Sequence, residues 1–257
     1  MSMPGCFFLD SNIILADIFG EKARAERINV LKKDAEHYKI PCYTSKSVKE
    51  EIKDKVDELC DFLGRSIKDV LLERLKESRT RRKVSSDDPI SAEDIKELEN
   101  IVSEYHKIKL RKYPGKFLLP TPLAAIEEWI IRMIGEKMRN KERVSFTDFR
   151  EIIIQEIIKT VVTFNDFYNY LLELEEGYIK TIEDEPNPSI MERLKKFGIH
   201  DPDSKHIASA IAHQRSKNEK TVYVTIDYRT ILSEREKILS AFNLECSDPL
   251  YAIYHLM

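Results

Sequence analysis

No stretch of about 18 apolar residues occurs in this sequence, and no basic N-terminal segment runs into a long apolar one. A membrane-spanning helix and a secretory leader are therefore not expected, and the chain reads as a cytoplasmic protein with no membrane partner. An excess of positive charge is also missing. Lys and Arg number 42 against 45 Asp and Glu, a net charge of -3. A nucleic acid would have to be held by local basic patches or by metal ions. The four cysteines, Cys6, Cys42, Cys60 and Cys246, make no CxxC pair, and neither they nor the 6 histidines show zinc-site spacing. They read as small buried apolar residues in a reducing compartment. Glutamine occurs twice, whereas charged residues make up 34%, above the roughly 25% of ordinary globular domains. That tilt is shared with proteins from hot environments. No internal repeat is visible. What the chain does have is a 42% apolar share over 257 residues, enough for one large domain or one domain carrying a second.

The ends of the chain read as α/β. Cys6-Phe7-Phe8-Leu9 is a short apolar run suited to a buried strand, and Asp10-Ser11-Asn12 breaks it. Helical spacing follows from Ile13 to Leu31, then a strand over Tyr38 to Thr44, then a helix from about Ser47. Strand and helix alternating in this way favour a parallel sheet covered by helices. From about Lys53 to Leu194 almost everything reads as helix, with segments at 48–78, 91–112, 122–140, 146–176 and 188–197. Breaks fall at Ser85-Ser86-Asp87-Asp88-Pro89, Tyr113-Pro114-Gly115 and Glu185-Pro186-Asn187-Pro188. The α/β pattern resumes with an alanine-rich helix from Pro202 to His213, a strand over Thr221 to Ile226, a helix from Ile231 to Phe242 and a short strand at Leu244-Glu245-Cys246. Ser247-Asp248-Pro249 opens a terminal helix. The expected architecture is one discontinuous α/β domain, residues 1–56 and 195–257, interrupted by an all-α insertion over 57–194.

Asp10 and Asp227 each follow an apolar strand, and ligands of open parallel sheets bind outside the carboxyl ends of strands. The alternative for each is a turn or helix-capping aspartate. Ser47 and Glu50 fit a capping box, which leaves Glu51 on the side of Val48 and Ile52. Asp201 before Pro202 suits a cap, with Pro202 first in the helix and Asp203 on the face of Ile207 and Ala210. The alternative for Asp203 is a first-turn acid favoured by the helix dipole. Four carboxylates converging on one point would repel one another, and a hard divalent cation, Mg2+ or Mn2+, removes that conflict. Such a cation can activate water for attack on a phosphodiester.

The segments Leu9-Asp10-Ser11-Asn12-Ile13-Ile14-Leu15, Val48-Lys49-Glu50-Glu51-Ile52, Asp203-Ser204-Lys205-His206-Ile207-Ala208-Ser209-Ala210 and Val224-Thr225-Ile226-Asp227 resemble, in order, the four acidic motifs of PIN-domain nucleases. The resemblance covers about 1–56 and 195–257. It implies a PIN-like doubly wound parallel sheet flanked by helices and Mg2+- or Mn2+-dependent endonuclease activity, usually on RNA. It also implies Asp10, Glu51, Asp203 and Asp227 as catalytic metal ligands, with Thr225 and Asn12 in support. A homodimer is in keeping with the family. Where many members carry a further acid, this chain has Arg229.

His206, one turn after Asp203, reads as a packing residue or as a partner for a carboxylate or phosphate. Two basic runs, Arg79, Arg81, Arg82 and Lys83, and Lys109, Arg111 and Lys112 beside Tyr113, read either as solvated surface or as a grip on single-stranded RNA. Trp129 and the isoleucines at 152–154 and 157–158 read as core of the insertion, or in the latter case as a partner face. Two other functional readings stand beside the nuclease: a PIN-like module that binds RNA or protein without cleaving, and a helical scaffold whose acids only cap helices.

Overall fold

The computed structural model of the chain describes residues 4–18, 22–61, 72–98, 100–101, 104, 143–169, 178–183 and 186–252. The elements run β1 (Cys6–Leu9), α1 (Ser11–Ile18), α2 (Lys22–His37), β2 (Cys42–Ser45), α3 (Lys46–Asp61), α4 (Leu72–Arg81), α5 (Phe146–Tyr168), β3 (Ile179–Ile182), α6 (Pro188–Lys196), α7 (Asp203–Lys217), β4 (Thr221–Val224), a 3-10 turn (Leu232–Glu234), α8 (Arg235–Phe242) and β5 (Glu245–Ser247). Two compact units result, Met1–Val56 with Asn165–Met257, and Asp57–Phe164.

The first unit is built on a five-stranded sheet of order β3-β2-β1-β4-β5. Every neighbouring pair is parallel. A parallel sheet needs both faces covered, so its central strands are apolar throughout rather than alternating. Cys6, Phe7, Phe8 and Leu9 are accordingly all buried, as are all four residues of β4. The chain builds outward from β1 to β2 and β3, then returns to lay β4 and β5 on the other side. The direction of winding therefore reverses between β1 and β4, the crevice where α/β sheets place ligands.

Behind the sheet, α7 packs Ile207, Ala208, Ala210 and Ile211 with Phe8, Tyr223, Leu194, Ile199 and Ile238 in one core. Ala208 and Ala210 are fully buried. With only a methyl at these positions, the helix backbone can lie close to the strands. Asn187 starts α6 by accepting the Ser189 N–H (2.9 Å), with Pro188 as the first helical residue. Truncating Leu194 in this core to Ala would cost about 2–5 kcal/mol.

The structure corrects several expectations. The stretch 57–194 is not all-α, because β3 lies within it and pairs with β2, Cys42 opposite Ile179. Ile179 is buried and Lys180 exposed, the half-solvated pattern of an edge strand too short to stand out in sequence. The segment of helical spacing over 13–31 falls into two helices, α1 and α2. Residues 249–252 form turns, on which Asp248 Oδ1 accepts the Leu250 N–H (2.9 Å). The expected helix over 122–140, Trp129 included, falls outside the described residues.

In the second unit, Ser91 and Asp94 cap the helical residues 92–98 reciprocally. Ser91 Oγ accepts the Asp94 N–H (3.2 Å) and Asp94 Oδ2 the Ser91 N–H (2.9 Å). Arg79 of α4 is buried and donates to Asp94 Oδ2 (2.5 Å) and to the carbonyls of Ser85 (2.7 Å) and Asp88 (2.8 Å). Its guanidinium lies 5.4 Å from the Phe146 ring centroid. Of the expected isoleucine core, Ile153 and Ile157 are buried and Ile158 is exposed.

Candidate metal centre

Asp10 is the first residue beyond β1. Its N–H extends the ladder by donating to Val224 O (3.1 Å), while its carboxylate turns into the protein and is 2% exposed. Oδ1 accepts the Ser11 N–H (2.8 Å), and Oδ2 accepts the Thr225 hydroxyl (2.7 Å) and the Asn12 side-chain amide (2.7 Å). Asn12 Oδ1 in turn accepts the Ile226 N–H (3.2 Å). The loops leaving β1 and β4 are thus laced together around one buried carboxylate.

Glu51 and His206 approach it from two helices. Cap formation in α3 falls two residues earlier than expected. β2 passes into the helix without a loop, so Ser45 Oγ accepts the Val48 N–H (3.4 Å) and Ser47 lies inside the first turn. Glu50 is exposed, and Glu51 faces inward. Its Oε2 stands 3.5 Å from His206 Nε2, yet that oxygen is buried and has no well-formed hydrogen bond. His206, 1% exposed, holds Nδ1 3.7 Å from Asp10 Oδ1.

Asp203 is the first residue of α7, and Pro202 occupies the cap position without a side-chain cap bond. The expected cap, Asp201, instead accepts the Ser204 hydroxyl and pairs with Lys195 (3.1 Å), because those side-chain donors compete for its oxygens. Asp227 partly fulfils its capping alternative. Its Oδ1 accepts the N–H groups of Arg229 (3.0 Å) and Thr230 (2.9 Å). Its own N–H donates to Thr225 Oγ1 (3.0 Å), so Thr225 links the first and fourth acids.

The charges are felt across the group. Burial, then the Asp10 charge, push Asp203 up to about 7, with Asp227 and Glu51 adding to the rise and His206 opposing it. Burial also raises Glu51, helped by Asp10 and opposed by His206. Burial pulls His206 down, but Asp10, Glu51 and Asp203 outweigh it and leave the imidazole raised. Tyr223 in β4 is fully buried, and burial, then Asp10 and Asp203, hold its phenol far above the ordinary value. It stays a neutral hydroxyl beside the acids. Nothing in sequence marks Tyr223. His206, read as a packing residue or a carboxylate partner, is buried and lies beside two carboxylates.

A hard divalent cation fits this donor set in chemistry: oxygen ligands, an unpartnered buried oxygen on Glu51, and carboxylates that resist ionising together. In spacing the set is open. Among the described residues, no three of Asp10, Glu51, Asp203, Asp227 and His206 hold ligand atoms all within 4.8 Å of one another.

The basic residues divide differently from the expectation. Arg79 is a buried internal ion-pair partner rather than a surface contact, and Arg82 pairs with Asp94 and with Glu93 (3.0 Å). Both are drawn in by the buried Asp94 carboxylate. Arg81 and Lys83 are exposed. Lys109, Arg111 and Lys112 lie outside the described residues.

Comparison with protein-family models, with curated proteins and with solved structures finds no match.

Proposed function

We propose that the chain is a PIN-like, metal-dependent endoribonuclease using Asp10, Glu51, Asp203 and Asp227 as ligands for Mg2+ or Mn2+. The observation that carries this reading is the electrostatic conflict at the carboxyl edge of β1. Asp203 and Glu51 are both raised around a buried Asp10, at the crevice where the sheet reverses its winding. A bound cation would supply charge for the developing phosphorane oxygens and an activated water. The residues supply the rest. Asp10 is fixed in one orientation by Ser11, Asn12 and Thr225. Thr225 ties the orientation of the Asp227 backbone to it. His206 stands between Asp10 and Glu51, and its protonated form lowers the cost of keeping both ionised.

The test is cleavage of single-stranded RNA with Mn2+ by the full chain, and Asp10→Asn should reduce it by at least about 100-fold. Equal rates for variant and wild type would overturn the reading. A second reading, a module that binds RNA without cleaving it, is favoured by Arg229 and by the commitment of Asp227 Oδ1 to two backbone N–H groups. RNA binding with no cleavage at any Mn2+ level would select it.

A further inference from the structure

We propose that Cys6, His213 and Glu219 form a second cation site, for a zinc-class ion, at the amino edge of the same sheet. It is separate from the carboxylate group and does not rest on the nuclease reading. Cys6 begins β1, His213 lies in the last turns of α7, and Glu219 sits in the turn leading to β4. One ligand atom from each lies within 4.8 Å of the others. His213 Nε2 and Glu219 Oε1 are 3.7 Å apart, close to the roughly 3.3–3.8 Å between neighbouring ligand atoms on a tetrahedral zinc.

Three features mark a built site. His213 has a side chain only 4% exposed, and its Nε2 has no hydrogen-bond partner. A buried imidazole nitrogen left unbonded carries its desolvation cost without return, and a ligand would recover it. Cys6 Sγ lies 3.3 Å from Thr221 Oγ1, so a hydroxyl braces the sulfur as outer partners brace metal ligands. At Gly5 a Cβ would come within 2.9 Å of Glu219 Cβ and Oε2. The absence of a side chain there lets Glu219 lie against the chain beside Cys6. Burial first, and then Lys217, hold His213 below its ordinary value against the pull of Glu219.

Sulfur and imidazole with one carboxylate select an ion of borderline softness over Mg2+. Three protein ligands leave a fourth position for water or an external ligand. On binding, the Cys6 Sγ–H bond breaks, an Sγ–metal bond forms and the proton leaves to solvent. The sequence concealed the site because Cys6 stands about 200 residues before His213 and Glu219, and that neighbouring pair makes no zinc motif on its own.

The test uses the full chain stripped of metal and titrated with Co2+. One equivalent should produce a near-ultraviolet sulfur-to-cobalt charge-transfer absorption, which Zn2+ then displaces. Cys6→Ser should abolish it with the circular dichroism unchanged, and His213→Gln should weaken affinity by at least about 10-fold. Asp203→Asn should leave it intact, which separates this site from the carboxylate group. No charge-transfer absorption in the wild type, or the same absorption in Cys6→Ser, overturns the proposal. If Cys6→Ser does not fold, zinc-edge X-ray absorption of the wild type decides. A shell containing one sulfur supports the site, and a shell of nitrogen and oxygen alone overturns it.

Discussion

Asp203→Asn should stabilise the metal-free protein above neutral pH while removing its response to Mn2+. Burial and then the Asp10 charge raise this carboxyl from 3.8 to about 7. In the unfolded chain it gives up its proton near pH 4; in the folded chain it keeps it until about pH 7. The folded state binds more protons across that window, so stability is full below about pH 4 and is lost as the pH rises through about 7. A rise of about 3 units at about 1.4 kcal/mol each sets a ceiling of about 4 kcal/mol. Asp203 is partly exposed, and solvent screening brings the expected value to about 2 kcal/mol. His206 works in the same direction, since its raised imidazole also loses stabilisation as the pH climbs. Asparagine keeps the shape and drops the charge. The helix-dipole attraction it forfeits, about 0.3–1 kcal/mol, is the smaller effect. Urea midpoints at about pH 5 and about pH 8, with and without Mn2+, read the outcome. Wild type should weaken from the lower to the higher pH and regain stability with Mn2+ chiefly at the higher. The variant should show a flatter profile and little metal response. A variant less stable than wild type at about pH 8, or one with an unchanged slope, would refute the electrostatic reasoning.

Four further outcomes follow from the packing. Arg79→Met should cost about 3 kcal/mol in denaturant unfolding, because it takes one of two arginines from the buried Asp94 carboxylate and the donor from the Ser85 and Asp88 carbonyls. Arg81→Ala, at an exposed position, should stay within about 0.5 kcal/mol. Thr225→Val keeps the shape but strips a donor from Asp10 and an acceptor from the Asp227 N–H. It should cost about 1–3 kcal/mol and lower RNA cleavage along with stability. Ala210→Leu pushes a side chain into the fully buried seam between α7 and the sheet. A loss of at least about 1–3 kcal/mol is expected by thermal unfolding.

The parts of the fold legible in sequence were those whose burial is uniform. β1 and β4 are apolar at nearly every position because both faces are covered, so a run of four sufficed. β3 was not legible. At the edge of the sheet its Lys180 faces solvent, and Ile-Lys-Thr-Ile fits a helix surface as well as a strand. The placement of the acids at strand ends and helix starts was legible, since carboxylates have work there in any parallel sheet; that no three of them share ligand spacing among the described residues was not. Capping arguments separated Glu51 from Glu50 and Asp203 from Asp201, although the caps themselves fell elsewhere: Ser45 replaced Ser47, and Asp201 turned to Lys195. The distinction held because helical phase, not cap identity, decides which side chain faces inward. Arg79 misled for the opposite reason. A basic run looks like surface until a buried partner such as Asp94 is known, and that partner lies 15 residues away.

The phase of α7 ties the two edges of the sheet together. Asp203, His206, Ala210 and His213 recur at intervals of three and four residues, which keeps them on one helical face. Because α7 precedes β4, and β4 runs parallel to β1, the helix descends from the carboxyl edge to the amino edge. From Asp203 to His213 it covers about 15 Å. From Cys6 to Asp10 the strand covers about 13 Å. The lengths match, so polar groups at both ends of one stripe meet polar groups at both ends of one strand. Between them Ala210 and Phe8 share the core and exclude water. A dry middle with ionisable groups at each rim requires an apolar strand flanked by Asp and Cys and a helix whose stripe begins acidic and ends in histidine. A shift of α7 by one residue would turn that stripe by about 100° and detach both rims at once.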